Sequence, residues 1–510
     1  MKLDKVKQSI PALMLVIIIS KVIGMLREIV LANYFGTSYI SDAYLIASSV
    51  PTLLFYFIGH SISTAYIPIY NKTKNDGGQS KGLKYTNSIL NISFIICTAL
   101  VILILSFPIA VIKLFAFGFN GETVTLTVSF IRISAVSMYL MIIINVLSGY
   151  LQANKSFIMP AAISLPRNTV VIVSIVIAAI FGVQWLGIGL LLAYIAECAF
   201  LLPFAFTKGY RYRPVLGFRD SYVKETWYVI VPILVGMFVS QINKMVDRSL
   251  ASSVCEGGVS ALTYASVINN AVQEILVTGI ITVLFSHCAE WVVKNNHEKV
   301  KQKLASTLNT LIMLLLPATI GVMLLAKPIV LLVLGRGKFD DVSTTMTVGA
   351  LCCYTSGLTF LAIRDTLVKV FYAYKKTKAT TTVAIVAITI NIIFNLILYK
   401  IIGLNGLAIA TTVSAVFHSI VLYVLLRKQI GDFGLKSTAI VSAKSAISCV
   451  IMACIIYGVN YITSPLNDML SLTLCVIAGM VTYFAIASML KIEPMIVFLK
   501  KLKNFKNTIL

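Results

Sequence analysis

The chain is organised as long apolar runs joined by short polar connections. Each run holds about 20 mostly apolar residues, the number that a helix needs to cross a hydrocarbon core roughly 30 Å thick. We therefore predict an all-α polytopic membrane protein with about fourteen transmembrane helices. The predicted spans are residues 9–32, 42–70, 86–112, 124–151, 157–181, 185–206, 226–251, 259–285, 304–326, 344–373, 380–399, 404–426, 438–460 and 468–490.

The composition agrees with this prediction. Of the 510 residues, 58% are hydrophobic and only 12% are charged, whereas soluble domains carry roughly 25% charged residues. Three lysines precede the first apolar run, as in a secretory signal, but no small-residue cleavage site follows. We therefore expect the first helix to be retained.

Basic residues determine the predicted orientation. Of the 42 Lys and Arg residues, 28 lie in the tails and even-numbered connections, 9 lie within spans and 5 lie in odd-numbered connections. Connections rich in Lys and Arg stay in the cytoplasm, so both termini are predicted to be cytoplasmic. The formal charge of +23 then reflects topology and attraction to anionic lipid headgroups, and nucleic-acid binding is the weaker interpretation.

Several kinds of function lack their sequence signals. The nine cysteines form no CxxC motif and no cluster with histidine, so neither a disulfide framework nor a zinc site is expected. A phosphate-binding GxxxxGK loop followed by Ser or Thr is also absent. We expect no enzyme activity, and we expect an ion gradient, the membrane potential or the substrate's own gradient to drive any transport.

Two pairs of segments indicate an internal duplication. Residues 20–44 resemble residues 240–264 at an offset of 220, and "LGIGL" around Gly187 resembles "NGLAI" around Gly406 at an offset of 219. These offsets divide the first twelve spans into two halves with the same topology and leave two final spans. Parallel repeats of this kind occur in transporters, so a binding site is expected between the halves.

Charged residues within the spans form a stripe that recurs in both halves. Lys21 and Glu28 share a helix face with Arg27 at its edge, and Lys244 and Arg248 repeat the stripe in span 7. A basic residue that faces lipid at mid-membrane costs about 2.5 to 3.5 kcal/mol. These residues either pair with intramembrane acids and join helices, or line a cationic, water-filled cavity for an anionic substrate. Spans 1, 2, 7 and 8 hold four such bases and four acids, which leaves both interpretations open.

Several longer stretches resemble a known family. The first half contains "SKVIGMLRE", "YFGTSYISDAYLIASSVPTLL" and "AYIPIY". The second half contains "LGRGKFD", "AIRDTLVKVFYAYKKTKATTTVAI" and "NIIFNLILYKIIGLNGLAIATTVSA". Over most of the chain this combination resembles the MurJ/MviN proteins, the lipid II flippases of the MOP exporter superfamily.

The resemblance implies both an architecture and an activity. It implies two pseudo-symmetric six-helix lobes, at 1–225 and 226–430, and a last segment, 431–510, with helices 13 and 14 and a basic cytoplasmic tail. It also implies alternating access that moves undecaprenyl-pyrophosphate-linked disaccharide-pentapeptide to the outer leaflet of a bacterial plasma membrane, for peptidoglycan biosynthesis. The expected partners are this glycan lipid, membrane lipids and cell-wall synthesis proteins, and the chain is expected to be a monomer.

The resemblance also assigns residues to a substrate site. Two bases of helix 1 and the acid that opens helix 2 match the family pattern. The chain departs where the family commonly has further arginines, because Phe55 stands at one such position and Val267 lies near another. Two bases of span 7 are interpreted as compensating for them. The predicted substrate-binding set is Lys21, Arg27, Asp42, Lys244 and Arg248.

A sodium ion is the one cofactor that the resemblance suggests. Some family members hold sodium between an acid of helix 7 and polar groups of helices 11 and 12. The matching residues are Asp247, Asn391, Asn395 and Thr411, whose oxygens suit a hard cation. Interhelical hydrogen bonds are the alternative explanation for them.

Three other functions stay open on the sequence. The missing arginines keep open a flippase for another polyprenyl-linked glycan, such as teichoic acid or capsule units. A MATE-like cation or drug antiporter would have twelve spans and an acidic, aromatic cavity. A membrane scaffold would need no charged stripe in both halves. We therefore interpret the chain as a lipid II flippase.

Overall fold

The computed structural model describes residues 2–463, 467–497 and 499, and within these ranges it describes only the backbone of 2–11, 56–64 and 231–240. The basic tail predicted after residue 499 lies outside the described residues.

The described residues form helices and no strands, which confirms the predicted all-α class. The helices are α1 Lys2–Phe35, α2 Tyr39–Ser106, α3 Pro108–Phe115, α4 Gly121–Ala135, α5 Ser137–Ala153, α6 Ile158–Ala162, α7 Ser164–Phe181, α8 Gln184–Thr207, α9 Ser221–Val254, α10 Gly258–Val293, α11 His297–Leu324, α12 Ala326–Leu334, α13 Asp341–Ser356, α14 Leu358–Ala373, α15 Thr377–Ile402, α16 Leu404–Ile430, α17 Leu435–Thr463 and α18 Asp468–Met489.

Helical structure lies over all fourteen predicted spans. By length and hydropathy, nine helices of the described residues could each cross a membrane, or eleven if each of two bent helix pairs is one span. The count of fourteen stays a prediction.

Breaks within the helices coincide with particular residues. The backbone of α2 leaves the helical conformation at Gly77 and Gly78, so its two parts correspond to predicted spans 2 and 3. Gly78 has φ of 70°, a value that glycine adopts readily because it has no Cβ. Predicted spans 4 and 10 are also bent, by 41° between α4 and α5 and by 44° between α13 and α14.

The helix boundaries repeat along the chain. α1 ends at Phe35 and α9 ends at Val254, an offset of 219. α2 begins at Tyr39 and α10 at Gly258, again an offset of 219, and α8 and α16 begin 220 residues apart. The spacing found in the sequence therefore extends to the secondary structure, as the predicted pseudo-symmetric halves require.

The described chain divides into two compact units. Of the described residues, the first unit contains those up to residue 260 together with 336–339, and the second contains all the others. α9 packs against α2 and α3, and it therefore belongs to the first unit. The predicted lobes instead begin the second half at residue 226, and those lobe boundaries stay a prediction.

Each unit has its own buried core. In the first unit, the fully buried rings of Tyr66, Tyr70 and Tyr85 stack with centroids 5.5 Å apart. In the second unit, α17 packs against α11 and α18, and the hydroxyl of Tyr483 on α18 donates to the carbonyl of Met313 on α11 at 2.7 Å. The last two helices are thus packed onto the second unit.

Candidate functional site

The first unit contains a cavity of ≈ 340 Å³. Its walls come from α1, α2, α4, α5, α7, α8 and α9, and they combine basic side chains with hydroxyl groups. The lining residues are Arg27, Glu28, Tyr44, Leu45, Ser48, Ser49, Pro51, Thr52, Leu53, Ser134, Ser137, Arg167, Val171, Leu190, Ala193, Tyr194, Gln241, Lys244 and Arg248.

Arg27 is held in a fixed position on α1. Its Nε and one terminal nitrogen contact Oε1 of Glu28, and its other terminal nitrogen donates to Oδ1 of Asn168 on α7 at 3.1 Å. A guanidinium has five N–H groups in a rigid fork, so these three contacts leave two N–H groups for a ligand. The side chain is 27% exposed, and it therefore presents an oriented cation to the cavity.

A second arginine enters the cavity from α7. Arg167 forms an ion pair with the buried Glu197 of α8, with 3.6 Å between nitrogen and oxygen, and its guanidinium lies 5.8 Å from the ring centre of Tyr194. The Tyr194 hydroxyl in turn lies 3.2 Å from the Thr52 hydroxyl. Two partners on α8 thus fix the place of Arg167, and one of them is linked in turn to α2.

α9 contributes two bases and an amide. Lys244 is exposed, and its ammonium makes no hydrogen bond or ion pair with the described residues. Gln241 is buried, and its Oε1 has no hydrogen-bond partner among the described side chains. Lys244 and Arg248 add positive charge to the wall of the cavity, and Gln241 adds an unused hydrogen-bond acceptor.

The lining carries an excess of positive charge. Arg27, Arg167, Lys244 and Arg248 stand against one lining acid, Glu28. Ionisable residues in membrane spans are rare because of their cost, and they commonly mark a substrate pathway. The charge count over whole spans was even, but the charges that actually line the cavity are strongly biased towards base.

The structure brings together three of the five predicted substrate residues, namely Arg27, Lys244 and Arg248. Lys21 does not line this cavity, and its side chain is exposed elsewhere on α1. Asp42 is 1% exposed, and its two carboxylate oxygens accept the backbone N–H groups of Gly257 at 3.0 Å and Ser260 at 2.8 Å. Asp42 therefore holds the start of α10, and substrate contact by Lys21 and Asp42 stays a prediction.

The predicted sodium residues lie in both units. Asp247 lies in α9, where the amide of Asn243 is 3.5 Å from its carboxylate. In the second unit, the buried Asn391 and Asn395 of α15 are bonded to each other, with Nδ2 of Asn395 donating to Oδ1 of Asn391 at 2.9 Å. The Thr411 hydroxyl donates to a backbone carbonyl of α16, which leaves oxygen lone pairs for a cation. Their grouping around sodium stays a prediction.

The sequence did not single out Arg167 and Asn168 as site residues. The sequence signal for Arg167 is a charge within an apolar span, and such a signal does not identify a partner. Asn168 carried no signal beyond a polar residue in a span. Their roles depend on α7 packing against both α1 and α8, and helix pairing of this kind does not appear in local sequence patterns.

The duplicated helical architecture and the cation-lined cavity define a class of protein: a polytopic membrane transporter suited to an anionic substrate. A model of the family described as "Lipid II flippase MurJ" matches residues 31–477. The chain therefore belongs to the MurJ family of lipid II flippases.

Individual relatives match nearly the full length of the chain. A probable lipid II flippase MurJ of Thermotoga maritima is 26% identical over 478 residues, covering 93% of this chain and 95% of the relative. Another from Rickettsia prowazekii is 27% identical over 497 residues, covering 93% and 96%. A solved structure of a lipid II flippase MurJ in an inward closed conformation matches with a TM-score of 0.81 and 26% identity, covering 94% of this chain and 98% of that one.

A multidrug resistance MATE transporter of the MOP superfamily shares the fold. Its inward-facing structure matches with a TM-score of 0.70 and 17% identity, covering 81% of this chain and 95% of that one. At this identity the match concerns the fold alone.

Proposed function

We propose that this chain is a flippase that moves undecaprenyl-pyrophosphate-linked disaccharide-pentapeptide, lipid II, from the inner to the outer leaflet by alternating access. Membership of the MurJ family supports this substrate, and the single structural observation that carries the proposal is the cavity with four bases and one acid. The chain makes no covalent change in its substrate, and no cofactor beyond a possible sodium ion takes part.

The cavity chemistry suits a diphosphate. Charge-assisted hydrogen bonds from guanidinium groups to phosphate oxygens are short and strong, and a planar guanidinium can bind two oxygens at once. Arg27 and Arg167 are held by Asn168 and Glu197, so little side-chain freedom is lost when they bind. Lys244 adds a mobile point charge that can follow the diphosphate.

Rescue of bacteria depleted of their own lipid II flippase tests this function. Expression of the chain should restore growth, and lipid II should reach the outer leaflet. A second strain, depleted of a flippase for teichoic acid or capsule units, tests the rival glycan, whose lipid also carries a diphosphate. Rescue of the second strain alone, with normal abundance of the protein in both, would contradict the proposal.

Both termini are proposed to be cytoplasmic, in a bacterial plasma membrane. The arrangement places the loop between α9 and α10 outside, and this loop contains the exposed Cys255. In a variant in which Cys255 is the one remaining cysteine, a membrane-impermeant maleimide should label intact cells. Partial burial of the thiol, together with nearby Asp42, raises the pKa of Cys255, so raising the labelling pH to about 8.5 is needed to increase the fraction of reactive thiolate. Labelling only after lysis would reverse the orientation.

Sodium coupling is a separate proposal that rests on Asp247, Asn391, Asn395 and Thr411. A single carboxylate with amide and hydroxyl oxygens is a suitable ligand set for a hard cation. Asp247→Asn should remove the sodium dependence of transport and leave abundance unchanged. Transport by the unmutated chain that is equal in sodium and potassium buffers would refute sodium coupling.

A further inference from the structure

The connection between α8 and α9 is an ordered strap, which we define as residues 208–220. Two asparagines, one helical turn apart on α2, hold it. Nδ2 of Asn87 donates to the carbonyl of Arg211 at 3.0 Å, and Nδ2 of Asn91 donates to the carbonyl of Val215 at 2.9 Å. The strap backbone is therefore fixed against the side of α2.

Two tyrosines of the strap donate hydrogen bonds to the same two asparagines. The Tyr210 hydroxyl donates to Oδ1 of Asn87 at 3.0 Å, and the Tyr212 hydroxyl donates to Oδ1 of Asn91 at 2.9 Å. Each asparagine amide thus binds the strap through both its donor and its acceptor. A segment anchored by four such hydrogen bonds presents its remaining side chains in a defined arrangement.

The remaining side chains are basic and apolar. Arg211, Arg213 and Arg219 are exposed, as is Lys84 of α2, and none of these four side chains forms an ion pair or hydrogen bond with the described residues. Leu216 is 56% exposed and Phe218 is 54% exposed. Lys84 and residues 215–220 surround a recess of ≈ 490 Å³.

The nearby acids are already engaged. The carboxylate of Asp220 accepts the backbone N–H of Tyr222 at 2.9 Å and begins α9. Asp76 accepts the Tyr222 hydroxyl at 2.6 Å, and Glu225 is paired with Lys72. The arginines of the strap therefore keep their charge available for an external anion.

The predicted boundary of span 3 places the strap at the level of the membrane interface. Asn87 and Asn91 occupy the first turns of predicted span 3, which begins at residue 86, and they are about 6 Å apart along the helix axis. Exposed Leu216 and Phe218 at this level can enter the apolar edge of a leaflet, while the arginines remain beside the phosphate groups. Mixed basic and apolar surfaces bind membrane interfaces in this manner.

We propose that the strap and Lys84 form a binding site for the phosphate headgroup of an anionic phospholipid. The acyl chains of this lipid would pack beside Leu216 and Phe218. The site lies outside the transport cavity, and its occupant is a membrane lipid that is not transported. The proposed cytoplasmic orientation places it in the inner leaflet, but lipid binding itself does not depend on orientation or transport.

The full-length protein in detergent, titrated with phosphatidylglycerol or phosphatidylcholine of equal chain length, tests the site, with bound lipid counted by native mass spectrometry. Phosphatidylglycerol should bind more tightly. Each basic residue beside an anionic lipid contributes about fivefold in affinity, so Arg211→Gln, Arg213→Gln and Arg219→Gln together should weaken phosphatidylglycerol binding by about a hundredfold. Phosphatidylcholine, whose choline group offsets the charge of its phosphate, should lose much less affinity.

A matched triple variant controls for diffuse charge. Lys299→Gln, Lys376→Gln and Lys378→Gln remove the same charge from exposed positions at the starts of α11 and α15, and they should change phosphatidylglycerol binding by less than about threefold. Equal losses in the two triple variants would overturn the proposal. So would equal binding of the two lipids by the unmutated protein.

Two further measurements keep the test decisive if the strap triple variant fails to fold. In the unmutated protein, raising salt from about 0.1 to 1 M shortens the screening length from about 10 to 3 Å, and it should abolish the preference for phosphatidylglycerol. Leu216→Ser with Phe218→Ser should weaken phosphatidylglycerol binding although every charge remains. A preference that survives high salt, or indifference to the serine substitutions, would contradict the site.

Discussion

Two adjacent arginine–carboxylate pairs, one in each unit, show how the same short motif can be used in opposite ways. In α1, Nε and a terminal nitrogen of Arg27 contact one oxygen of Glu28, and in α14 the same atoms of Arg364 contact one oxygen of Asp365. An amide from another helix joins each pair. In the first unit that amide is Asn168 and it binds the arginine, whereas in the second unit it is Gln273 and it binds the acid.

The difference decides what each pair offers to a ligand. Gln273 donates to the second oxygen of Asp365 at 3.1 Å, so in the second pair the amide of another helix holds the acid and not the arginine. In the first pair, Oε2 of Glu28 has no hydrogen-bond partner among the described residues, and Arg27 faces the cavity. The first pair therefore presents an anchored cation, and the second pair joins α14 to α10.

Replacing the two arginines should give the largest contrast. Arg27→Ala should abolish rescue of flippase-depleted cells to a greater extent than any fall in membrane abundance explains, because a charge-assisted phosphate contact contributes roughly 1.5 to 3 kcal/mol, or tenfold to a hundredfold in affinity. Arg364→Ala is the matched control and should keep most of the rescue, since a partly exposed pair contributes about 1 kcal/mol or less. The contrast would be refuted if both variants lost rescue equally, or if the lower abundance of the Arg27→Ala variant fully explained its failure to rescue.

The second arginine of the cavity should show a smaller and separable effect. Arg167→Gln leaves the buried carboxylate of Glu197 without its partner. The free energy of unfolding should fall by up to about 3 kcal/mol, and membrane abundance should fall with it. Adding Glu197→Gln should restore abundance, yet transport should stay about tenfold slower because one phosphate contact is missing. Full transport by the double variant would show that Arg167 serves only to hold α8.

Lys244 sharpens the comparison between fixed and mobile charge. Its ammonium is exposed, so Lys244→Gln should weaken substrate binding by only about twofold to fivefold and leave the maximal rate unchanged. The defect should shrink as salt rises, because exposed charges are screened. A loss as large as that of Arg27→Ala would mean that anchoring by an amide does not matter.

The smallest effect is expected at Lys21, which lies on the same helix as Arg27 but outside the cavity lining. Lys21→Arg keeps the charge, so rescue and abundance should both match the unmutated chain. A measurable gain of transport would place Lys21 in the substrate path after all.

The sequence predicted the helices and the duplication because the lengths of hydrophobic runs and the spacing of a repeat can be read directly from the order of the residues. The helices follow from positions along single chain segments and the duplication from a constant offset, whereas the choice of Arg27 for the substrate site came from the family resemblance. The family resemblance added Asp42 as a candidate contact, but the structure shows its carboxylate bonded to the backbone of Gly257 and Ser260. An acid that caps another helix and an acid that meets a ligand look the same in sequence.

The rest of the site could not be predicted from local patterns because it depends on which helices pack together. Asn168 lies 141 positions from Arg27, and Glu197 meets Arg167 across α7 and α8. The sequence contained each of these residues as an isolated polar position in an apolar run. Only packing decides whether such a residue pairs, binds a substrate or faces lipid.

Two neighbouring residues of α7 connect three helices around the cavity. Arg167 pairs with Glu197 of α8, and Asn168 accepts a hydrogen bond from Arg27 of α1. A one-residue insertion or deletion before them would rotate both away at once. Consider an antibacterial compound that binds the guanidinium groups of Arg27 and Arg167. A substitution that weakens binding of the compound would also weaken binding of the natural substrate, so few substitutions could give resistance. We expect substitutions in α7 that give resistance to such a compound to reduce viability as well.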